Sequence, residues 1–474
     1  MTLPQPTWSS LPQPTTTELT GAVWRPDAGV LVTSAQDELR REVQRFAAET
    51  RDVGVPPRGR PAPVELLLGD TGLRSPEAFT IDVSERVRIV GNTPAAVFRA
   101  TRQLLHNLRA QGCVPCGTVR SEPAVTERGL HLDTARKFYP ADWLAELIPA
   151  LADIGINTLQ WHFSENLGFR IASDRHPEIV SPEHHTKAEV RELLALAADH
   201  HIDVVPSLDM PGHLRQALAA HPEWRLPAPA ADTRHALDIT RPEAVAFAHD
   251  LVDEYAELFA GCRHWNLGAD EFVDFDRMTD YPVLARAAWN RFGPAANGFD
   301  LLTAFANETA ARLARHGFTA RVWNDGMFRG AAVALDPAVQ VTWWTNWNAR
   351  MRPVTAALDG GHRVVNFMDA QLYYVLGEVN NYPYPTSERL WADDWHPGVF
   401  PRLPGGAPQT WRRPYPEQLI GTSFSVWSDV PDARTPAEVA EGIRRPLRGM
   451  AERAWNAGSR LSHEEFLRID AAIG

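Results

Sequence analysis

TLQWH at residues 158–162 and VVPSL at residues 204–208 are apolar strand candidates, and KAEVRELLALAAD at residues 187–199 lies between them as an amphipathic helix. Thr186 and Glu189 have the spacing of a capping box, which marks the start of that helix. Two strands joined through a helix run parallel in one sheet. This segment therefore predicts an α/β fold with a parallel sheet.

The strand, loop and helix pattern repeats from residue 128 onward. The other strand candidates are Gly129–Leu132, Trp265–Gly268, Ala320–Trp323, Val339–Trp343, Arg363–Phe367 and Ser423–Trp427, and Trp143–Leu151 and Val245–Phe259 are further amphipathic helices. Eight βα units in the ~350 residues of this region predict a (β/α)₈ TIM barrel with insertions. We place this barrel at residues 123–474.

A smaller α/β domain is predicted to precede the barrel at residues 1–122. Its strand candidates are VELLL at 64–68, FTIDV at 79–83 and VRIV at 87–90, and Ala95–Arg109 has the pattern of a helix. Pro, Cys and Gly cluster between Gly112 and Pro123, before the next strand begins. That cluster indicates the domain boundary.

The composition disfavours several classes of partner. Among the 474 residues, 59 Asp and Glu outnumber 47 Lys and Arg, which gives a net charge of -12 and argues against nucleic acid. The first 14 residues have neither a basic segment nor an apolar run, so we expect no membrane span and a cytoplasmic location, or secretion if a leader has been trimmed. The sequence leaves the oligomeric state open.

Three cysteines are too few for a disulfide framework, and the Cys113–Cys116 pair has no second ligand pair nearby. No phosphate-binding glycine loop, HxH or HExxH spacing occurs. We therefore expect no cofactor and no metal.

The ends of the barrel strands predict the chemistry, because barrel active sites lie at the carboxyl ends of the strands. These ends carry mainly carboxylates and tryptophans: Asp133, His162, Asp209, Asp270, Glu271, Asn324, Asp325, Trp343, Trp344, Trp427 and Asp429. Indole faces stack on the apolar face of a pyranose, and carboxylates accept hydrogen bonds from its hydroxyls. The strand ends indicate a sugar-binding site.

Four ordered motifs carry a family resemblance. They are Arg128-Gly-Leu-His-Leu-Asp133-Thr-Ala-Arg136, Trp161-His162-Phe-Ser-Glu165-Asn166-Leu-Gly-Phe-Arg170, Asp209-Met-Pro-Gly-His213 and Leu267-Gly-Ala-Asp270-Glu271. They resemble the motifs of glycoside hydrolase family 20, the β-N-acetylhexosaminidases, and the later segments Trp323-Asn-Asp325, Trp343-Trp344, Tyr373-Tyr374 and Trp427-Ser-Asp429 agree. The resemblance implies a substrate glycan with a terminal β-linked N-acetylhexosamine.

The resemblance also implies catalytic roles. Glu271 is expected to be the general acid and base, and Asp270 to orient the substrate acetamide and balance its positive charge. Tyr373 is the candidate to hydrogen-bond the acetamido oxygen, with Gln371 as the alternative. His213 is expected to link Glu271 to the second-strand loop, oriented by Asn166 and mostly neutral.

The remaining roles implied by the resemblance concern binding. Arg128 and Asp429 are expected to hold outer hydroxyls of the terminal sugar. The other expected binding residues are His162, His213, Trp323, Asp325, Trp343 and Trp427. A structural reading of Arg128, as an ion-pair partner of Asp133, remains open.

Asp270 and Glu271 are neighbours, and this constrains the mechanism. A conventional glycosidase places two carboxylates on opposite sides of the scissile bond. Two adjacent residues cannot reach both of these sides. Substrate-assisted catalysis avoids the conflict because the 2-acetamido oxygen attacks the anomeric carbon, through an oxazolinium intermediate and with retention. The alternatives are a carbohydrate-binding pseudoenzyme, a lacto-N-biosidase-like enzyme, or another β-glycosidase on the same barrel.

Overall fold

The computed structural model describes residues 7–52, 61–228 and 231–474. The N-terminal part contains one six-stranded sheet in the order β1-β6-β4-β5-β3-β2. Its strands and helices are β1 Thr16–Trp24, β2 Val30–Thr33, α1 Arg40–Asp52, β3 Ala62–Leu68, β4 Phe79–Val83, β5 Val87–Gly91, α2 Pro94–Gln111 and β6 Val114–Ser121. The predicted small α/β domain is present, and its three predicted strands correspond to β3, β4 and β5.

Helix α2 has clear sequence signals at both ends. The Thr93 side chain accepts a hydrogen bond from the backbone N–H of Ala96, Pro94 occupies the first turn, and Gly112 ends the helix with a φ of 65°. A left-handed φ is strained for residues with a Cβ, so glycine is favoured at that position. Apolar residues of α2 pack on one face of the sheet and form the core of this domain.

The second part is a closed barrel of eight parallel strands. Its strands and short flanking strands are β7 Glu127–Asp133, β8 Thr158–Glu165, β9 Gly168–Phe169, β10 Asp203–Met210, β11 His264–Gly268, β12 Thr319–Trp323, β13 Gln340–Trp343, β14 Val364–Asn366, β15 Tyr373–Val375, β16 Val399–Phe400, β17 Gln409–Thr410 and β18 Leu419–Trp427. The ring runs β7-β8-β10-β11-β12-β13-β14-β18 and returns to β7. All eight predicted barrel strands are confirmed.

Helices cover the outside of the barrel. They are α3 Ala141–Asp153, α4 Lys187–Asp199, α5 Ala217–Ala220, α6 Pro242–Leu258, α7 Pro282–Phe292, α8 Gly298–Arg315, α9 Thr355–Asp359, α10 Asp369–Leu372, α11 Ser387–Ala392, α12 Pro436–Asn456 and α13 His463–Ile473. The predicted capping box of Thr186 and Glu189 is present at the start of α4. Within the described residues, no helix combines the length and the apolar character needed to cross a membrane.

The two parts share a packed interface, and the predicted boundary after residue 122 lies in the connection between β6 and β7. Trp455, near the end of α12, packs into the core of the N-terminal domain. Its indole N–H donates to the Ser121 hydroxyl at 2.9 Å. This contact fastens the last barrel helix to the smaller domain.

Arg128 belongs to this interface, so the prediction that it binds sugar is wrong. It lies near the start of β7, at the end of the barrel opposite the strand ends that carry the candidate site, and it is fully buried. Its guanidinium pairs with Glu77 of the N-terminal domain and donates to the carbonyl oxygens of Gly155 and Val125, at 2.8 and 2.9 Å. The structural reading is correct, although the partner is Glu77 and not Asp133.

We predict that Glu77→Gln destabilises the protein by about 3 kcal/mol, because the guanidinium groups of Arg99 and Arg128 would lose their shared buried carboxylate. The midpoint of chemical denaturation measures this loss. Glu65→Gln is the control: Glu65 faces Arg88 at 3.7 Å, both side chains are about half exposed, and such pairs contribute less than about 1 kcal/mol. Equal midpoints for the two variants would contradict the structural role of Arg128.

Candidate active site

A cavity of about 410 Å³ opens at the carboxyl ends of the barrel strands. Seven residues predicted for the site line it: His213, Asp270, Glu271, Trp323, Tyr373, Trp427 and Asp429. Six further residues complete its wall: Arg136, Trp344, Trp347, Val375, Asn380 and Tyr382. The lining combines carboxylates with aromatic rings, as the strand ends predicted.

The backbone after β11 turns both acidic residues toward this cavity. Gly268, Ala269 and Glu271 have φ values of 86°, 70° and 39°, so the chain leaves the strand in a left-handed conformation. A Cβ on Gly268 would meet a carboxyl oxygen of Asp209 at 1.6 Å, so no other residue fits there. Ala269 adopts its φ at a cost of about 1–2 kcal/mol. The left-handed turn replaces the strand alternation that would separate Asp270 from Glu271.

His213 is the centre of a network of charged side chains behind these acids. Its Nδ1 contacts the Glu165 carboxylate, and its Nε2 lies 3.5 Å from Asp270 Oδ2 and 3.7 Å from Glu271 Oε2. Burial lowers the pKa of His213, but the charges of Glu165 and Asp270 outweigh burial and raise that pKa well above its usual value. The expectation of a mostly neutral His213 is therefore wrong.

Glu165, and not Asn166, is the partner that charges His213. The Asn166 amide nitrogen is 3.5 Å from His213 Nδ1 and supplies no charge. Burial raises the pKa of Glu165, but the charges of Arg136 and His213 outweigh burial and lower that pKa to about 2. Glu165 is therefore an ionised, fully buried carboxylate between two cations.

Three carboxyl groups beside Asp270 have raised pKa values. Burial, and then the neighbouring charge of Asp270, raise the pKa of Asp209 well above its usual value. The same two causes raise the pKa of Asp325 to about 8. The Glu271 side chain is about half exposed, and its partial desolvation at the cavity raises its pKa; His213 opposes this rise and Asp270 adds to it. A neutral Glu271 is the protonation state that a general acid needs.

Asp325 acts behind the cavity. One of its carboxyl oxygens accepts a hydrogen bond from the backbone N–H of Glu271 at 3.0 Å, and the other accepts from the indole N–H of Trp344 at 3.2 Å. It is fully buried and does not line the cavity. The structure thus gives Asp325 a positioning role in place of the predicted sugar contact.

Arg136, and not Arg128, is the arginine that lines the cavity. Its guanidinium donates to Asp133 at 2.8 Å and to Glu165 at 2.7 Å, and it lies 5.4 Å from the ring centre of Trp427. It lines the cavity together with Asp429. Burial raises the pKa of Asp429, and the Arg136 charge opposes that rise.

Aromatic rings form the opposite wall. Trp344 and Tyr373 stack with ring centres 5.9 Å apart and planes 4° from parallel, and Trp427 lies 5.9 Å from Tyr373. Trp343 was predicted in this wall, but its side chain packs in the main hydrophobic core, away from the cavity. Its indole N–H donates to Asn346 there. Successive strand residues face opposite sides, so Trp344 lines the cavity and Trp343 does not.

Two further predictions are decided by side-chain direction. Gln371 donates to Asp393 and does not line the cavity, so Tyr373 is the candidate for the acetamido oxygen. His162 is fully buried beneath Trp427, with ring centres 5.3 Å apart, and its Nδ1 lies 2.9 Å from the Ser207 hydroxyl. Burial lowers the pKa of His162 to about 3. It supports the wall as a neutral ring and does not contact the cavity.

Four residues of the candidate site were not chosen from the sequence. Arg136 and Glu165 stood inside the quoted motifs, and Trp344 followed the chosen tryptophan, so their signal was present and the wrong neighbour was selected. Tyr382 lies on a loop after β15 and donates to Asp369 at 3.0 Å. No motif marked it.

We predict that Glu165→Gln lowers the pKa of His213, because it removes the carboxylate that stabilises the imidazolium. A pH titration of the His213 ring by ¹⁵N NMR measures the change. Asn166→Ala is the matched control and should leave the titration nearly unchanged. A larger effect of Asn166→Ala would restore Asn166 as the partner.

Comparison with known proteins supports one family. Residues 127–458 match the profile described as "Glycosyl hydrolase family 20, catalytic domain". The chain is 27% identical over 387 residues to a lacto-N-biosidase of Bifidobacterium bifidum, which covers 80% of this chain and 33% of that protein. It is 24% identical over 446 residues to a β-N-acetylhexosaminidase of Cellulomonas fimi, covering 86% of this chain and 80% of that protein.

The fold agrees with solved structures. A Streptomyces plicatus β-hexosaminidase mutant, in complex with the product GlcNAc, aligns with a TM-score of 0.77 at 22% identity and covers 100% of this chain and 95% of that one. The chain spans only a third of the lacto-N-biosidase and half of a similar β-hexosaminidase from Akkermansia muciniphila. The profile match covers more than half of the chain, so this protein belongs to glycosyl hydrolase family 20, with the family's catalytic domain at residues 127–458.

Proposed function

We propose that the protein is an exo-acting, retaining β-N-acetylhexosaminidase that removes terminal N-acetylglucosamine or N-acetylgalactosamine by substrate-assisted catalysis. One observation carries the proposal. The carboxylates of Asp270 and Glu271 both approach the same nitrogen of His213, at 3.5 and 3.7 Å, so they lie on one side of the cavity. The nucleophile on the other side of the sugar is then the substrate's own acetamido oxygen.

Glu271 transfers the proton in both steps. In the first step its neutral carboxyl protonates the leaving oxygen while the acetamido oxygen bonds to the anomeric carbon. In the second step its carboxylate takes a proton from the water that opens the oxazolinium ring. The imidazolium of His213, 3.7 Å away, stabilises the carboxylate that forms between these steps.

Asp270 orients the acetamide and balances the charge of the oxazolinium ring. Asp209 and Asp270 are neighbouring carboxyl groups. Because the pKa of Asp209 is raised, Asp209 holds the proton of this pair. Tyr373, which lines the cavity in the aromatic wall, donates a hydrogen bond from its hydroxyl to the acetamido oxygen in this proposal. Asp429 is the third acidic residue that lines the cavity. It forms a charged pair with its neighbour Arg136, and this pair binds hydroxyls of the sugar.

The Bifidobacterium lacto-N-biosidase supports a second candidate function, release of a disaccharide in place of a monosaccharide. One assay separates the candidates: aryl β-glycosides of N-acetylglucosamine, glucose and lacto-N-biose, each at the same concentration. Our proposal expects cleavage of the N-acetylglucosaminide alone. Cleavage of the lacto-N-bioside alone would favour the second candidate, and cleavage of the glucoside would contradict both.

We predict that Glu271→Gln reduces the turnover of N-acetylglucosaminides with poor leaving groups by about 10²–10⁴-fold. Activated phenols need little protonation, so their first step should lose much less. Single-turnover rates for a series of aryl leaving groups measure the difference. An equal loss across the series would mean that Glu271 is not the proton donor.

We predict that Arg136→Gln weakens the binding of N-acetylglucosamine by about 1–3 kcal/mol, because hydroxyl contacts to a charged group would be lost in the cavity. Isothermal calorimetry of the product sugar measures this change. Arg412→Gln is the control, since Arg412 is an exposed residue paired with Asp394. Unchanged product affinity in the Arg136 variant would remove that residue from the binding site.

We predict that a thiazoline mimic of the cyclised intermediate binds roughly 10²-fold or more tightly than the product. Asp270→Asn should weaken the thiazoline far more than it weakens the product sugar, because only the mimic carries the positive charge that Asp270 faces. Inhibition constants for both ligands give the comparison. Parallel losses for the two ligands would contradict the role of Asp270.

A further inference from the structure

A cluster of two histidines and a glutamate lies outside the cavity. His176 precedes the 3₁₀ turn Pro177–Ile179, on the connection between β9 and α4, and His221 follows α5 on the connection between β10 and α6. Glu178 lies between them. Its Oε1 is 3.3 Å from His176 Nδ1 and 2.9 Å from His221 Nε2, and the three atoms all lie within 4.8 Å of one another.

These distances fit one tetrahedral metal ion. Zinc binds imidazole nitrogen and carboxylate oxygen at about 2.0–2.2 Å, so two ligands on a tetrahedral zinc are about 3.4 Å apart. The two ligand–ligand distances, 3.3 and 2.9 Å, are both shorter than that value by no more than about 0.5 Å. Two imidazoles and one carboxylate form a donor set that zinc takes in proteins.

The outer hydrogen bond of His176 supports metal binding, and a second carboxylate lies near the outer nitrogen of His221. His176 Nε2 lies 2.9 Å from Asp250 Oδ2, and His221 Nδ1 lies 3.6 Å from Glu223 Oε1. A histidine ligand typically donates its second N–H to a carboxylate, which leaves its other nitrogen as a lone-pair donor for the metal. The rings are also fixed by packing: His221 stacks on Trp224 with ring centres 4.1 Å apart.

We propose that His176, Glu178 and His221 bind a zinc ion, with Asp250 orienting His176 and solvent completing the coordination. The ion joins the connection after β9 to the connection after β10. The first of these connections follows β8 and β9, and β8 ends at Glu165; the second contains His213. The ion therefore links a segment that follows Glu165 to the segment that contains His213. The sequence patterns did not predict this site because His221 lies 43 residues after Glu178.

A metal titration of the full-length, chelator-treated protein tests the proposal. One equivalent of Co²⁺ should give the visible absorption of a tetrahedral site, and Zn²⁺ should displace it. His221→Gln and Glu178→Gln should abolish this absorption, and Asp250→Asn should weaken Zn²⁺ binding about 10–100-fold in a competition assay. Zn²⁺ should also raise the Tm of the unmodified protein and leave that of His221→Gln unchanged.

His316→Gln is the matched control. His316 Nε2 contacts Asp253 at 2.9 Å, the same distance as His176 to Asp250, but the pair is not part of a three-residue ligand group among the described residues. Its metal binding should equal that of the unmodified protein. No Co²⁺ absorption at one equivalent, or absorption that survives in His221→Gln, would overturn the proposal.

A second three-residue group, Asp209, His213 and Asp270, lies in the catalytic cavity, and its ligand atoms are also within 4.8 Å of one another. Adding the product sugar N-acetylglucosamine during the titration separates the two locations. Zinc at His176 and His221 should bind equally well with and without the sugar. Competition between metal and sugar would place the ion in the catalytic cavity and overturn the proposal.

Discussion

The buried ion pair between Glu165 and His213 is the interaction on which the catalytic end of the barrel depends. It joins the end of β8 to the loop after β10 and leaves His213 Nε2 directed at Asp270 and Glu271. Two cations, Arg136 and His213, share the single carboxylate of Glu165. A buried charge without a partner costs several kcal/mol, so each of these groups fixes the place of the next.

Charge is distributed unequally among the acids that this network gathers. Asp209 and Asp325 are both buried near Asp270, and their raised pKa values reduce the negative charge in its neighbourhood. Glu271 also has a raised pKa, because of partial desolvation, while His213 opposes the shift. Like charges this close do not all ionise together, so protons are held by the outer groups. Among the carboxyl groups with raised pKa values beside Asp270, Glu271 is the one that lines the cavity and can donate its proton to a substrate.

Much of this arrangement could be predicted from the sequence, and the errors have local causes. The eight strands follow from apolar runs, and Asp270 and Glu271 follow from their place at a strand end. Most errors selected the wrong one of two residues that lie close together in the sequence, such as Trp343 in place of Trp344 and Asn166 in place of Glu165. Between β8 and β10 the register shifts by one residue after His162, which alters the strand alternation just before Glu165. Such a bulge has no sequence signal. The prediction for Arg128 was wrong because the N-terminal domain buries the start of β7.

In the proposed mechanism, the substrate supplies the nucleophile on the face opposite Asp270 and Glu271. The most direct measurement combines NMR of the first-formed sugar anomer with mass spectrometry of the protein quenched during turnover. We expect that the β-anomer of N-acetylglucosamine forms first and that no sugar becomes attached to the protein. A sugar ester on Asp270 or Asp429, or the α-anomer as the first product, would contradict it.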